Sequence, residues 1–571
     1  MRIASPLLWL LASVSLSGIA TTAQAEQHPR VNQTSLVKQA VSCASLAKVD
    51  LTDIGGQGSR ITATSESTSN GETHCVVDGV LAPAIQFKVL LPTTTWTQRF
   101  LQLGCGGLCG RISLDVGAAA GCAPLNASGF TVATTNMGHE STETNFGDDD
   151  QKRRDFAYRG VHLTAVTAKK LMSVFYGRSP SYSYFSGCSD GGREALMEAQ
   201  RYPEDFNGII AGAAAMNFQV QNSMYHAWQA LSNRDADNKA IIVAADLPLI
   251  HKAVIAQCDA LDGQTDGLIS DPMNCHFNPS VLQCKKGESN SSGTCLSVTQ
   301  VNTLRKLYAG PRARVTGEKM TVGGPQPGSE LSWAGVFVPQ NANDTPSSAT
   351  IALEALKNII FEKNPGSDYT LKDLSFTTET FAELHALHPL NDATNPDLSD
   401  FKAAGGKLII WHGWSDPHIS PLNSIAYHEA LGKTLGAVQR NAFERLYLLP
   451  GLYHCSGGDG PSLVDFLTPM LNWVEQGVAP GSVVTWQAAQ EETSGFGQPT
   501  QGDNTQSALK LETISSTAAS RPVFPYPYYA VYSGQGDENV ASSYVSKPIS
   551  PLPTSFRWLG KTFYTPYPPM Q

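Results

Sequence analysis

From about Ala84 the apolar positions alternate between short runs and longer stretches at helical spacing. Residues 84–92 (AIQFKVLLP) predict a strand, 99–107 (RFLQLGCGG) a strand ending in glycines, and 130–139 (FTVATTNMGH) a third. Over residues 160–177, Val161, Leu163, Val166, Leu171, Val174 and Phe175 recur at a spacing that predicts a helix. An aromatic, alternating run with Tyr182 and Tyr184 comes next, followed by the helix-forming REALMEAQ and a buried strand in FNGIIAGAAA. The rhythm fails between about residues 215 and 397, which hold four cysteines and a long Gly/Pro/Ser/Asn stretch at 323–348. It then resumes: 407–416 (KLIIWHGWSD) reads as a strand, 421–433 as a helix, 443–455 as a strand running into a loop, and 462–477 as a closing helix. This alternation implies an α/β fold, a mostly parallel sheet covered by helices on both faces. Residues 26–214 and 398–571 are assigned to it, and 215–397 to an inserted domain. The tail from about Gln487, rich in Pro, Tyr, Ser and Thr, reads as a surface-wrapping extension without a core of its own.

The first 25 residues have a basic Arg2, an apolar stretch from Leu7 to Leu16 and Ala23-Gln24-Ala25, the pattern of a signal peptide cut after Ala25. No later stretch approaches the roughly 20 apolar residues that span a bilayer. A soluble protein, secreted or periplasmic, is expected. Composition is globular, 41% hydrophobic and 16% charged, and a net charge of −10 without a basic stripe excludes nucleic acid as partner. QKRRD and KKLMSV are too short to alter this and read as solvated faces. Eleven cysteines in an exported chain point to disulfides, with at least one left over. Short spacings favour Cys258 with Cys275 and Cys284 with Cys295; Cys43 and Cys75 are also counted as bridged, and the pairing of Cys105, Cys109 and Cys122 stays open.

The chemistry centres on Gly187-Cys188-Ser189-Asp190-Gly191, a G-x-S-x-G nucleophile elbow between a strand and a helix. A serine nucleophile needs a base, itself oriented by an acid. Asp416 and His454 each follow a strand, in the chain order Ser, Asp, His. His412, His418 and His428 are alternative bases, and Asp459 an alternative acid. Cys188 precedes the nucleophile directly and Cys455 follows the base directly, so a bridge between them would tie the two together.

On these residues the chain resembles the tannase and feruloyl esterase family, whose CS-D-HC hallmark matches Cys188-Ser189, Asp416 and His454-Cys455. GCSDGGREAL, FNGIIAGA, CDALDGQTDGLISDP, GGKLIIWHGWSDP, LLPGLYHCSGG and RPVFPYP carry the resemblance further. It implies an α/β-hydrolase core with a large inserted lid, and an oxyanion hole of two main-chain N–H groups, those of Asp190 and Cys105. The second position is usually glycine in the family. It also implies a structural calcium held by Asp259, Asp262 and Asp266 with main-chain oxygens of Gln264 and Leu268, an all-oxygen set suited to a hard cation. No organic cofactor is implied. A C-terminal disulfide of the family is absent, with Phe524 and Ser546 at its positions. Trp333, Phe337 and Phe361 of the lid are either core or pocket lining. The expected activity is a secreted serine carboxylic ester hydrolase acting on galloyl or feruloyl esters. The alternatives are a terephthalate monoester hydrolase or broad arylesterase, and a non-catalytic binding protein of the same fold.

Overall fold

The computed structural model describes residues 31–69, 71–290, 293–488, 506–515, 517–549 and 556–570; the expected signal peptide lies outside them. The main sheet has nine strands: β1 (Arg60–Ser69), β2 (Glu72–Leu81), β3 (Ile85–Pro92), β4 (Arg99–Leu103), β5 (Phe130–Thr135), β6 (Tyr182–Cys188), β7 (Gly208–Gly212), β8 (Lys407–Gly413) and β9 (Glu444–Leu449). Their spatial order is β1-β2-β3-β5-β4-β6-β7-β8-β9. From β5 through β9 every neighbouring pair is parallel, whereas β1, β2, β3 and β5 pair antiparallel.

Seven helices matter for the site: α1 (Gly160–Tyr176), α2 (Asp190–Arg201), α3 (Leu247–Cys258), α4 (Val298–Ala309), α5 (Ser347–Asn358), α6 (Leu422–Leu435) and α7 (Leu467–Gln476). Strand side chains alternate between faces, so consecutive apolar residues feed two separate cores. Phe100, Phe185, Ile209 and Ile410 pack with Val161 and Phe175 of α1, Leu196 of α2 and Ile425 of α6. Their sequence neighbours Leu101, Tyr184, Ile210, Ile409 and Trp411 pack on the other face against Leu467 and Met470 of α7. The site sits at the carboxyl ends of β6, β8 and β9, where open α/β sheets place their ligands.

Among the described residues no strand of this sheet arises between Gly212 and Lys407. That stretch folds as α3 to α5 with short turns around a cluster containing Leu247, Ile250, Leu304, Trp333 and Phe337. Leu356, Phe361 and Phe381 instead join the core shared with the sheet. Trp333 and Phe337 are therefore core residues, completely so, whereas buried Phe361 also lines a cavity of about 240 Å³ with Tyr369 and Leu374.

Two readings of polar segments need correction. QKRRD is no solvated face: Asp149 caps a helical turn there, and buried Arg153 donates to Phe361 O at 2.8 Å and Asn364 Oδ1 at 2.6 Å. An arginine reaching another segment's carbonyls leaves no trace in local spacing. The tail does more than wrap the surface. Ser520–Val523 pairs with Val483–Trp486, and buried Trp558 and Phe563 pack beside Phe381. Phe524 and Ser546, where the family disulfide is absent, line one cavity of about 350 Å³ with Arg440 and Glu444.

Five disulfides are formed: Cys43–Cys75, Cys105–Cys109, Cys188–Cys455, Cys258–Cys275 and Cys284–Cys295. This usage belongs to an oxidising compartment. Cys122 is the unpaired cysteine, and burial pushes its thiol up to about 12, which keeps it unreactive. No helix among the described residues is long and apolar enough to cross a membrane.

Candidate active site

Ser189 lies between the end of β6 and the start of α2 with φ 65° and ψ −120°, a left-handed conformation uncommon for any residue with a side chain. The turn is tight enough that a Cβ on Gly187 would come within 2.4 Å of Gly191 O. The glycine before the serine is therefore a steric requirement of the elbow. Arg193 N–H is the first to bond back, to Ser189 O at 3.1 Å, so the N–H groups of Asp190, Gly191 and Gly192 lack intrahelical partners. The positive end of the helix is thereby presented beside the hydroxyl.

His454 Nε2 is 2.8 Å from Ser189 Oγ, and its Nδ1 is 2.7 Å from Asp416 Oδ2. The carboxylate only accepts, so Nδ1 carries the proton and Nε2 is free to accept from the serine. Asp416 and His454 are essentially fully buried, while Ser189 is half-buried and reachable. Asp416 Oδ1 accepts from His418 N at 2.8 Å and Ile419 N at 3.0 Å, which fixes the plane of the carboxylate. Burial opposes its ionisation, yet the facing His454 and the bonds from His412 and His454 outweigh burial and hold the carboxyl far below its usual range. The loops carrying acid and base run pressed together: a Cβ on Gly413 would approach Leu452 O to 2.2 Å.

The rejected bases have other partners. His428 Nδ1 faces Glu444 Oε2 at 2.9 Å, and His412 Nε2 bonds the acid itself, at Asp416 Oδ2. The His418 ring centroid is 4.9 Å from that of His454, and His226 lies 5.7 Å beyond it. Burial, reinforced by His454, pushes His226 down to about 3 and His418 well below its ordinary value, so both stay neutral. Asp459 is bound by Tyr453 Oη at 2.9 Å and does not reach the imidazole as an acid partner.

Beside the elbow, Asp190 turns its carboxylate away from the serine and onto Arg193, whose Nε is 2.6 Å from Oδ1. Arg193 is fully buried, stacks over Phe156 at 4.6 Å and donates to Phe156 O and Ala157 O. Sequence reasoning overlooked it, although a basic residue three positions after an acidic one on a helix is a readable pair. Only the main-chain N–H of Asp190 is left for the serine side. Cys105, in the turn after β4, is bridged to Cys109, and its N–H meets Glu194 Oε1 at a long 3.4 Å. Burial, with the neighbouring Asp190, raises the Glu194 carboxyl well above its usual range.

In the acidic loop after α3, Asp259 and Asp262 are buried and Asp266 half-buried. Asp259 accepts from Gly267 N at 3.0 Å, Asp262 from Gln264 N at 3.1 Å and Asp266 from Leu268 N at 3.0 Å. Asp266 Oδ2 also pairs with Arg521 of the tail at 2.6 Å. Burial first, then the charge of Asp266, raises both Asp259 and Asp262.

Residues 69–547 match the model of the tannase and feruloyl esterase family. The chain belongs to that family. It is 33% identical over 523 residues to an uncharacterized esterase of Xanthomonas campestris pv. campestris, covering 82% of this chain and 84% of the relative. It is 29% identical over 538 residues to the mono(2-hydroxyethyl) terephthalate hydrolase of Piscinibacter sakaiensis, with the same two coverages. The crystal structure of feruloyl esterase B from Aspergillus oryzae superimposes with a TM-score of 0.73, covering 89% of this chain and all of that one at 24% identity. The fold is that of the α/β-hydrolases, and this tannase-family protein is a carboxylic ester hydrolase. A non-catalytic binding protein is thereby set aside.

In this esterase Cys188 and Cys455 are bonded, with Cα atoms 5.9 Å apart, so residues flanking Ser189 and His454 are covalently joined across 267 positions. His454 lies on a loop, and loops are the mobile parts of such scaffolds. A Cys188→Ala/Cys455→Ala variant should lose around 10²-fold in kcat through misplacement of the imidazole by about an ångström, with little change in circular dichroism. A kcat within threefold of wild type would show that packing alone holds the loop.

Proposed function

We propose that this protein is an exported serine esterase that cleaves esters of hydroxylated aromatic acids, galloyl or feruloyl, through an acyl-enzyme. The observation that carries the chemistry is the line Ser189–His454–Asp416, bonded at 2.8 and 2.7 Å. His454 Nε2 takes the Ser189 proton as Oγ attacks the ester carbonyl, then gives it to the departing alcohol as the tetrahedral adduct collapses. Water, deprotonated by the same nitrogen, attacks the acyl-serine and releases the acid. Asp416 keeps Nδ1 protonated and stabilises the imidazolium. The N–H groups of Asp190 and Cys105 receive the oxyanion, the latter being only loosely engaged by Glu194. Export is supported by the leader pattern of residues 1–25 and by the five disulfides.

The acyl group is read from the family. Identity of 29% to a terephthalate monoester hydrolase favours a second reading, in which that monoester is the substrate. Parallel kcat/KM measurements on methyl gallate, methyl ferulate and mono(2-hydroxyethyl) terephthalate separate the two. A gallate or ferulate ester preferred at least tenfold is the expected result, and preference for the terephthalate monoester would install the second reading.

The loop 259–268 is proposed to hold calcium through Asp259, Asp262 and Asp266 and the main-chain oxygens of Gln264 and Leu268. The donor set is all oxygen, as a hard cation prefers, and the ion's charge would offset the burial that, ahead of the charge of Asp266, raises Asp259 and Asp262. The ion would brace the lid against the tail at Arg521. Chelation should lower Tm by roughly 5 °C, since a ligand bound only to the native state stabilises it by mass action. Turnover below the melting range should persist; its loss from a folded, stripped sample would refute a purely structural role.

A further inference from the structure

One more imidazole is bonded to the acid. His412, sixth residue of β8, is completely buried, and its Nε2 lies 3.0 Å from Asp416 Oδ2 and 3.0 Å from Ile419 O. Its Nδ1 is 2.8 Å from the hydroxyl of Ser424 in the first turn of α6. These partners place the proton. A main-chain carbonyl only accepts, so Nε2 carries the hydrogen and shares it between Ile419 O and Asp416 Oδ2. Nδ1 is then an acceptor, and the Ser424 hydroxyl donates to it.

We infer that His412 is a positioning residue for the reaction, its Nε2–H holding Asp416 Oδ2 in place and sharing that oxygen with His454. The inference rests on the Ser189–His454–Asp416 reading and deepens it. A carboxylate offers about four lone-pair sites. Asp416 fills two on Oδ1 with His418 N and Ile419 N, one on Oδ2 with His454 Nδ1 and the last with His412 Nε2. With all four engaged the carboxylate has no free rotation, and the imidazole it steers is held with it. Ser424, His412, Asp416, His454 and Ser189 thus form one unbroken hydrogen-bonded chain from α6 to the nucleophile.

Two effects should follow when the His412 donor is lost. The carboxylate can turn, which loosens His454 and lowers kcat. More of the charge on Oδ2 is also left to the Nδ1–H of His454, which favours the imidazolium, so the acid limb of kcat/KM should move to higher pH. The groups around His454 are Asp416, the neutral His418 and His226, the Ser189 hydroxyl and, across Pro417, Tyr225, whose phenol burial pushes far up. None of these changes charge in the window where the limb is read.

The test compares His412→Met, which fills the space without a donor, with His412→Gln, whose amide N–H reaches near the position of Nε2. His412→Met should lower kcat by around 10²-fold with KM nearly unchanged, and raise the acid limb by about half to one pH unit, a differential interaction on the order of 1 kcal/mol. His412→Gln should stay within about fivefold of wild type with the limb in place. Ser424→Ala, which removes the donor to Nδ1 and so loosens the ring while Nε2 keeps its proton between Ile419 O and Asp416 Oδ2, should shift the limb the same way by less. It serves as the readout if His412→Met does not fold. Equal kcat losses in the Met and Gln variants with an unmoved limb, or an unmoved limb in Ser424→Ala, would make His412 a packing residue only. Ser189→Ala assayed alongside keeps the two ideas apart: an active Ser189→Ala overturns the triad reading itself, whereas an inactive one beside an unmoved limb overturns only the role of His412.

Discussion

Ser189→Ala should lower ester hydrolysis by roughly 10⁵–10⁶-fold, the scale on which removal of a serine nucleophile acts when base and acid remain. Nothing else in the site offers a substitute nucleophile at that position. The fold should be untouched, because the main-chain bonds of residue 189 do not involve its side chain: its N–H donates to Gly212 O at 3.0 Å, and its carbonyl accepts from Arg193 and Ala215. Alanine inherits the same strained φ of 65°, so strain is not released either. Tm should move by no more than about 2 °C, in keeping with a change that creates no cavity and breaks no network beyond one bond to His454. Steady-state assay and a thermal melt on the same preparation check both halves. Activity within tenfold of wild type would remove Ser189 from its role.

The parts of this molecule legible in the sequence are those whose physics is local. Apolar alternation located β3 to β9 because these strands are buried, and the elbow announced itself because its glycines answer a steric demand within four residues. The adjacent pairs Cys188-Ser189 and His454-Cys455 extended this across 267 positions, since chemistry tied to a neighbouring residue is still local at each end. The hairpin of β1 and β2 went unread. Its outer strand RITATSESTS is an edge exposed along most of its length, and a solvated edge carries no apolar alternation. Arg153 and Arg193 were missed or misread because their burial is repaid by carbonyls, aromatic faces and a carboxylate that only the folded chain brings up. His412 stood among the candidate bases, but only geometry separates it from the base. Its ring meets the acid and not the serine. The lid resisted reading because its short helices and turns are set by tertiary packing and by bridges such as Cys284–Cys295, not by periodicity.

Asp416→Asn should reduce kcat by roughly 10⁴-fold through the wrong histidine tautomer, a cause distinct from loss of the nucleophile. The amide must choose which of its two ends replaces Oδ1 and which Oδ2. Two main-chain N–H groups, of His418 and Ile419, converge on Oδ1, so the amide oxygen goes there. The NH₂ group then faces His454 Nδ1 and His412 Nε2. To accept from that amide, His454 must move its proton to Nε2, which turns the base into a donor against Ser189 Oγ. His412 meanwhile loses its acceptor on the acid and is left with Ile419 O. KM should change little, since no group of Asp416 faces a bound ester. Stability carries a second signature. The folded carboxyl is held below its ordinary range, so it stabilises the native state above that range, and the benefit fades as pH falls toward the folded value. The Tm gap between wild type and Asp416→Asn should therefore be widest near neutrality and narrow with acidification. A kcat loss below tenfold would dismiss Asp416 as the acid, and Asp459, held by Tyr453 at 2.9 Å, could replace it only if that loop rearranged.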